Sequence, residues 1–148
     1  MATLKVKIQE DIVLDNQDYG SKRTLEIASI DEVMKRVVTC AASQTTTVLV
    51  FNSNAYGAAG AVDIEDSKYI RITNLDSSNA VELAVVGAAT LYQVTLSAGQ
   101  SHVLGSADGL MLAEADTSPS FGTMADLGSI QVNPGGNAVS VEVFVASA

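Results

Sequence analysis

The stretch Tyr69-Ile70-Arg71-Ile72-Thr73-Asn74-Leu75-Asp76-Ser77-Ser78-Asn79-Ala80-Val81-Glu82-Leu83-Ala84-Val85 decides the fold class. Apolar residues alternate with polar ones on both sides of a polar run, the period of two that turns one face of an extended strand towards a core. Asn74, Asp76, Ser77, Ser78 and Asn79 between them are residues whose side chains bond their own backbone in turns. The pattern predicts a β-hairpin with a polar connection of about six residues, within the range such loops take.

Outward from this stretch the same signals recur. Thr45 to Phe51 and Thr90 to Leu96 read as strands, and Ser101 to Leu104 as a short one between turns at Ser97-Ala98-Gly99-Gln100 and at Gly105 to Gly109. Near the C-terminus Val139, Val141, Val143 and Val145 alternate with Ser140, Glu142 and Phe144. With Ser129 to Val132 and the turn Asn133-Pro134-Gly135-Gly136-Asn137, they predict a second hairpin. Leu110 to Ala115 is compatible with a strand or a helical turn, and residues 52–62, like the segment around Pro119 and Gly122, read as loops.

In the N-terminal part Leu4, Val6 and Ile8 alternate with Lys5, Lys7 and Gln9, and Leu25 and Ile27 point one way in a strand from Arg23 to Ile27. Asp11 to Gly20 holds a turn rich in Asx side chains. Ser29-Ile30-Asp31-Glu32 has the spacing of a helix-capping box. The stiff β-branched Val37-Val38-Thr39 that follows limits any helix to one turn at residues 30–34, ahead of a strand at 35–41. Together these predict an all-β, antiparallel sandwich or jelly roll of about 8–10 short strands, in one domain over residues 1–148. Residues 1–10 form either an N-terminal arm able to add to a partner sheet or an edge strand whose lysines block aggregation.

The composition narrows the function classes. Eight Lys and Arg against 17 Asp and Glu give a net charge of -9, so the basic footprint of a nucleic-acid binder is missing. Charge is also uneven. All eight bases lie within residues 1–71, and residues 72–148 carry seven acids and no base. No stretch reaches 18 apolar residues, and Met1 to Lys7 lacks the apolar segment of a secretory signal, so the chain is expected to be made in the cytoplasm with no membrane span.

Reactive side chains are scarce. Cys40 lacks a second cysteine to pair with and sits in the apolar run Val37 to Ala42, where a buried thiol is expected. Cys40 and His102 make a nucleophile and base only if the fold brings them together with an orienting third group. Gly99-Gln100-Ser101-His102-Val103 begins like a nucleophile elbow but ends in Val103 instead of Gly. Asp63 with Glu65, and Asp15 with Asp18, do not fit a calcium loop, and Gly57-Ala58-Ala59-Gly60 lacks the Lys-Ser/Thr of a phosphate loop. No catalytic, cofactor-binding or metal-binding residue is assigned.

Lys68 to Asn79, Val81-Glu82-Leu83 and Val94-Thr95-Leu96-Ser97-Ala98-Gly99-Gln100-Ser101 resemble a pattern found in small structural proteins of tailed bacteriophages, particularly marine ones. Lys35 to Thr39, Ser129 to Val132 and Val141 to Val145 sit where such proteins have similar strands, so the resemblance covers roughly residues 33–148. It implies a non-enzymatic virion protein of head decoration, or cement, type. Such a protein is made in the host cytoplasm and sits on the capsid surface. Its expected partners are the major capsid protein or other virion proteins and further copies of itself, a trimer being favoured, with no cofactor, nucleic acid or membrane. A tail, neck or fibre component is the alternative within virions, and a carbohydrate-binding module for host surfaces the alternative from another class.

Overall fold

A computed structural model describes residues 1–54, 61–88, 90–114 and 119–148 of the chain. The strands are β1 (Ala2–Glu10), β2 (Val13–Leu14), β3 (Gln17–Asp18), β4 (Ser21–Ile30), β5 (Glu32–Cys40), β6 (Thr46–Asn52), β7 (Ala61–Asp63), β8 (Ser67–Asn74), β9 (Val81–Gly87), β10 (Leu91–Leu96), β11 (Ser101–Leu104), β12 (Leu127–Asn133) and β13 (Val139–Ser147). The last nine make two sheets, ordered β11-β8-β13-β5 and β10-β9-β12-β6-β7. Alternation along each strand turns Ile70, Ile72, Val141 and Val143 of one sheet towards Leu83, Val85, Ile130 and Val132 of the other, all fully buried. The all-β sandwich expected from the sequence is the fold found.

The strand order has a simple origin. The antiparallel pairs β9–β10, β8–β11, β6–β12 and β5–β13 nest inside one another along the chain, so residues 32–147 form a long double strand with the β9–β10 hairpin at its midpoint. Rolling that double strand up sets β8 beside β13 and β9 beside β12, which is the winding of a jelly roll. β7 adds to β6 as a short parallel edge.

Two expected hairpins are corrected. β8 and β9 belong to different sheets, and so do β12 and β13, so each polar run crosses from one sheet to the other. Packed sheets lie about 10 Å apart, a gap that a handful of residues spans. The hairpin at the centre of the fold is β9–β10, closed where Gly87 N–H donates to the Thr90 carbonyl at 2.8 Å.

The helical turn expected at 30–34 is absent too. Ser29 adopts a left-handed φ of 65°, Asp31 alone separates β4 from β5, and the chain bends from one strand directly into the next. Strand pairing of Glu32 and Val33 with β13 outweighs the capping signal there. Around Leu110 to Ala115, Met111 makes an isolated bridge with Ala125. Residues 55–60 of the loop expected at 52–62, and 115–118 before Pro119, lie outside the described residues.

All four connections between β5 and β6, β8 and β9, β10 and β11, and β12 and β13 gather at one end of the sandwich. Asn74 sits in their midst, fully buried. Its Nδ2 donates to the carbonyls of Asn79 at 2.8 Å, Leu96 at 3.1 Å and Ser97 at 3.3 Å, while its Oδ1 accepts from Asp76 N–H at 2.9 Å. Its backbone bonds Gln100 and Gly99, the latter at a φ of 76° that favours glycine. Asn137 Nδ2 donates to Asn79 Oδ1 at 3.2 Å, which ties in the last crossing. Leaving such carbonyls buried and unpartnered costs about 1–3 kcal/mol. Asn74→Ala is therefore expected to destabilise the chain by about 2–3 kcal/mol, read as a lower urea midpoint at unchanged slope, whereas Asn137→Ala at the exposed rim shifts it far less.

Candidate functional site

The most distinctive surface comes from the first thirty residues, which stand outside both sheets. β1 pairs with β4 in an antiparallel ribbon, and β2 with β3 closes its tip. Asp15 and Asn16, both at positive φ, make the two-residue turn that matches the twist of a tight hairpin. Cross-strand partners put Leu4 with Ile27, Val6 with Leu25 and Ile8 with Arg23 on one face, and Lys5 with Glu26, joined at 2.8 Å, on the other. Of the two alternatives for residues 1–10, β1 is an edge strand of this ribbon, paired with β4 on one side and with no strand on the other among the described residues.

The base of this amphipathic ribbon lies on the outer face of the four-stranded sheet, where Leu4, Val6 and Ile27 pack against Tyr69, Phe144 and Ala146. Tyr69 and Phe144 meet edge to face at 6.0 Å. Beyond the base the ribbon loses its support. Ile8, Ile12, Val13, Leu14, Tyr19 and Leu25 are each more than half exposed, Val13 at 71%. Where the ribbon overhangs β8 and β11, a groove of about 520 Å³ opens between Val6, Ile8 and Leu25 on one side and Tyr69 and Val103 on the other. Arg23 and Lys68 line it, and no carboxylate does.

Beside the ribbon, the same sheet face carries a small ionic network. Glu142 receives Arg71 Nη2 at 2.6 Å and Lys35 Nζ at 3.4 Å, Arg71 also donates to Thr73 Oγ1, and its guanidinium lies 5.7 Å from the Phe144 ring centre. The Arg71 bond, chiefly, holds the Glu142 carboxyl below its usual 4.5 against the opposing effect of burial. Backbone donors of Asn79 and Ser78 hold Asp76 below its usual 3.8 in the crossing loop.

Each long edge of the sandwich is bridged by a polar clasp. On one side Tyr92 of β10 and His102 of β11 share a 2.9 Å hydrogen bond between the two sheets. On the other, Arg36 of β5 donates to the carbonyl of Val48, the extra residue of a β-bulge in β6. Burial pushes the His102 imidazole below its usual 6.5 and the Tyr92 hydroxyl above its usual 10.0.

Cys40 is fully buried, burial raises its thiol above 9.0, and it stands at the opposite edge of the sheet from His102. Those two cannot act as nucleophile and base. Asp63 Oδ1 accepts from Glu65 N–H at 2.9 Å at the start of a turn, and Asp18 Oδ1 likewise accepts from Gly20 N–H at 2.8 Å. A second depression, of about 480 Å³, holds Asp31, Glu32, Asp63 and Asp66, but among the described residues no three His, Cys, Asp or Glu side chains group closely enough to hold a metal ion. No helix among the described residues is long and apolar enough to cross a membrane. What sequence reading missed is the exposed apolar tip; its signal was Ile12-Val13-Leu14 immediately before the Asp15-Asn16 turn.

Comparison of the chain with protein-family models, with curated proteins and with solved structures gives no match.

The clasp makes stability depend on pH in a defined sense. The unfolded chain takes up a proton near pH 6.5 that buried, folded His102 refuses, so the His102 contribution to stability is full above that pH and falls on acidification until the folded imidazole also protonates. Asp76 and Glu142 add a separate loss further down, as pH falls below 4.5 and through their lowered folded values. Urea midpoints measured against pH are expected to show both slopes in the natural chain, and only the lower one in His102→Gln.

Proposed function

We propose that this protein is a non-enzymatic structural component of a tailed-phage virion, a decoration protein that binds the outside of the head and stabilises the shell. The observation that carries the reading is the union of a closed jelly-roll core with a projecting ribbon whose distal apolar side chains stand in solvent. Exposed apolar surface concentrated on one element is what association with a neighbour removes from water. The resemblance of Lys68 to Ser101 and of the β5, β12 and β13 segments to phage structural proteins supports the same class.

Other features agree. Cys40 and His102 stand at opposite edges of one sheet, so they form no nucleophile–base pair. A net charge of -9 is repelled by packaged DNA, which suits the outer surface of a shell. A jelly roll by itself hosts many functions, so the fold adds little beyond compatibility. The carbohydrate-binding alternative rests on the open rings of Tyr19 and Phe121 alone, since the chain has no Trp and Tyr69, Phe144 and Tyr92 are occupied by packing or by His102.

Purified chain mixed with expanded, empty phage heads is expected to sediment with them at a saturating ratio, and heads so coated are expected to survive higher temperature and lower salt than bare ones. Absence of co-sedimentation, with glycan binding in its place, overturns the reading.

A further inference from the structure

The tip of the ribbon and the groove beneath it are separate patches of one chain with complementary chemistry. The tip carries Ile12, Val13 and Leu14 in solvent together with the carboxylates of Glu10, Asp11, Asp15 and Asp18. None of those four carboxylates makes an ion pair among the described residues. Nearer the base, the groove between ribbon and sandwich offers Ile8, Leu25 and Val103 as exposed apolar walls and Arg23 and Lys68 as its charged groups. Neither cation is in an ion pair among the described residues, and Lys68 only donates to the Glu65 carbonyl.

We propose that the ribbon tip of one copy seats in the ribbon–sandwich groove of a second copy. An apolar tip with four carboxylates and one neighbouring cation, Lys22, meets an apolar groove lined by two cations, so burial and charge favour the same docking. Tip and groove are different patches, so the contact is heterologous. Each copy gives a tip and receives one, and the chain of contacts closes into a ring or runs on as a filament. The second copy is chosen over an unrelated partner because both complementary halves are present on this chain. This deepens the proposed function by assigning the tip to a neighbouring copy instead of the shell, but it rests on the chain's own surface and is tested without capsids.

The test is the mass of the full chain in solution, by light scattering or sedimentation, across protein concentration. The natural chain is expected to exceed its monomer mass of 15.3 kDa. Leu14→Asp at the tip and Val103→Asp in the groove each alter an exposed position, and each is expected to return the mass to that of the monomer while the far-UV circular dichroism stays unchanged. Mixing the two variants is the decisive arm. One keeps a working groove and the other a working tip, so together they form a one-to-one dimer that grows no further. Arg23→Glu is expected to weaken association, and added salt to reduce the difference between it and the natural chain. A natural chain that stays monomeric, or a Leu14→Asp variant of unchanged mass, overturns the proposal. A monomeric chain that still coats phage heads overturns it alone and leaves the proposed function standing.

Discussion

One buried amide holds the two sheets in their relation. Asn74 ends β8 on the core-facing side of the alternation that begins with Ile70 and Ile72, where an apolar residue would continue the pattern. Instead its side chain donates to the Asn79 carbonyl of its own connection and to the Leu96 and Ser97 carbonyls where β10 runs into the next, and accepts from Asp76 in its own. A sandwich in which consecutive strands change sheet must turn its chain through the core margin, where water reaches the backbone poorly and partners must come from the protein. Asp76 completes the arrangement by accepting from Ser78 at 2.8 Å and Asn79 at 2.7 Å within the loop.

That arrangement also explains what could be read without coordinates. The strands themselves were legible, and Val139, Val141, Val143 and Val145 are all buried as their spacing requires. Which sheet each strand joins was not. Alternation marks the face of a strand that seeks a core, but the pattern is identical whether two such faces lie side by side in one sheet or look at each other across the interior. Asx-rich turns serve both outcomes. At Ser29 the local capping signal was genuine in spacing yet lost to a ladder formed with residues more than a hundred positions away, information that no local window holds.

The N-terminal ribbon was half visible for a similar reason. The alternation of Leu4, Val6 and Ile8 announces an apolar face, but whether that face is covered depends on how far the sandwich extends beneath it. It extends to Val6 and stops, leaving Ile8 in solvent. The candidate surface is thus created by a mismatch of lengths, a feature of the assembled object that no single residue encodes. The charge asymmetry gains a location in the same way: four of the eight bases belong to the shaft of the ribbon, and much of the acid belongs to the sandwich.

The nested pairing has a temporal meaning as well. The β9–β10 hairpin is local and closes in microseconds, as hairpins do. Each further pair, β8 with β11, β6 with β12, β5 with β13, joins residues more distant along the chain and closes a longer loop, so native pairing can grow outward from the middle of the sequence. During synthesis β5 leaves the ribosome well before β13, its neighbour in the sheet among the described residues, and waits until residues 139–147 have been added. Phe144 and Ala146 of β13 carry part of the ribbon's base, so the ribbon packs fully only after β13 is in place.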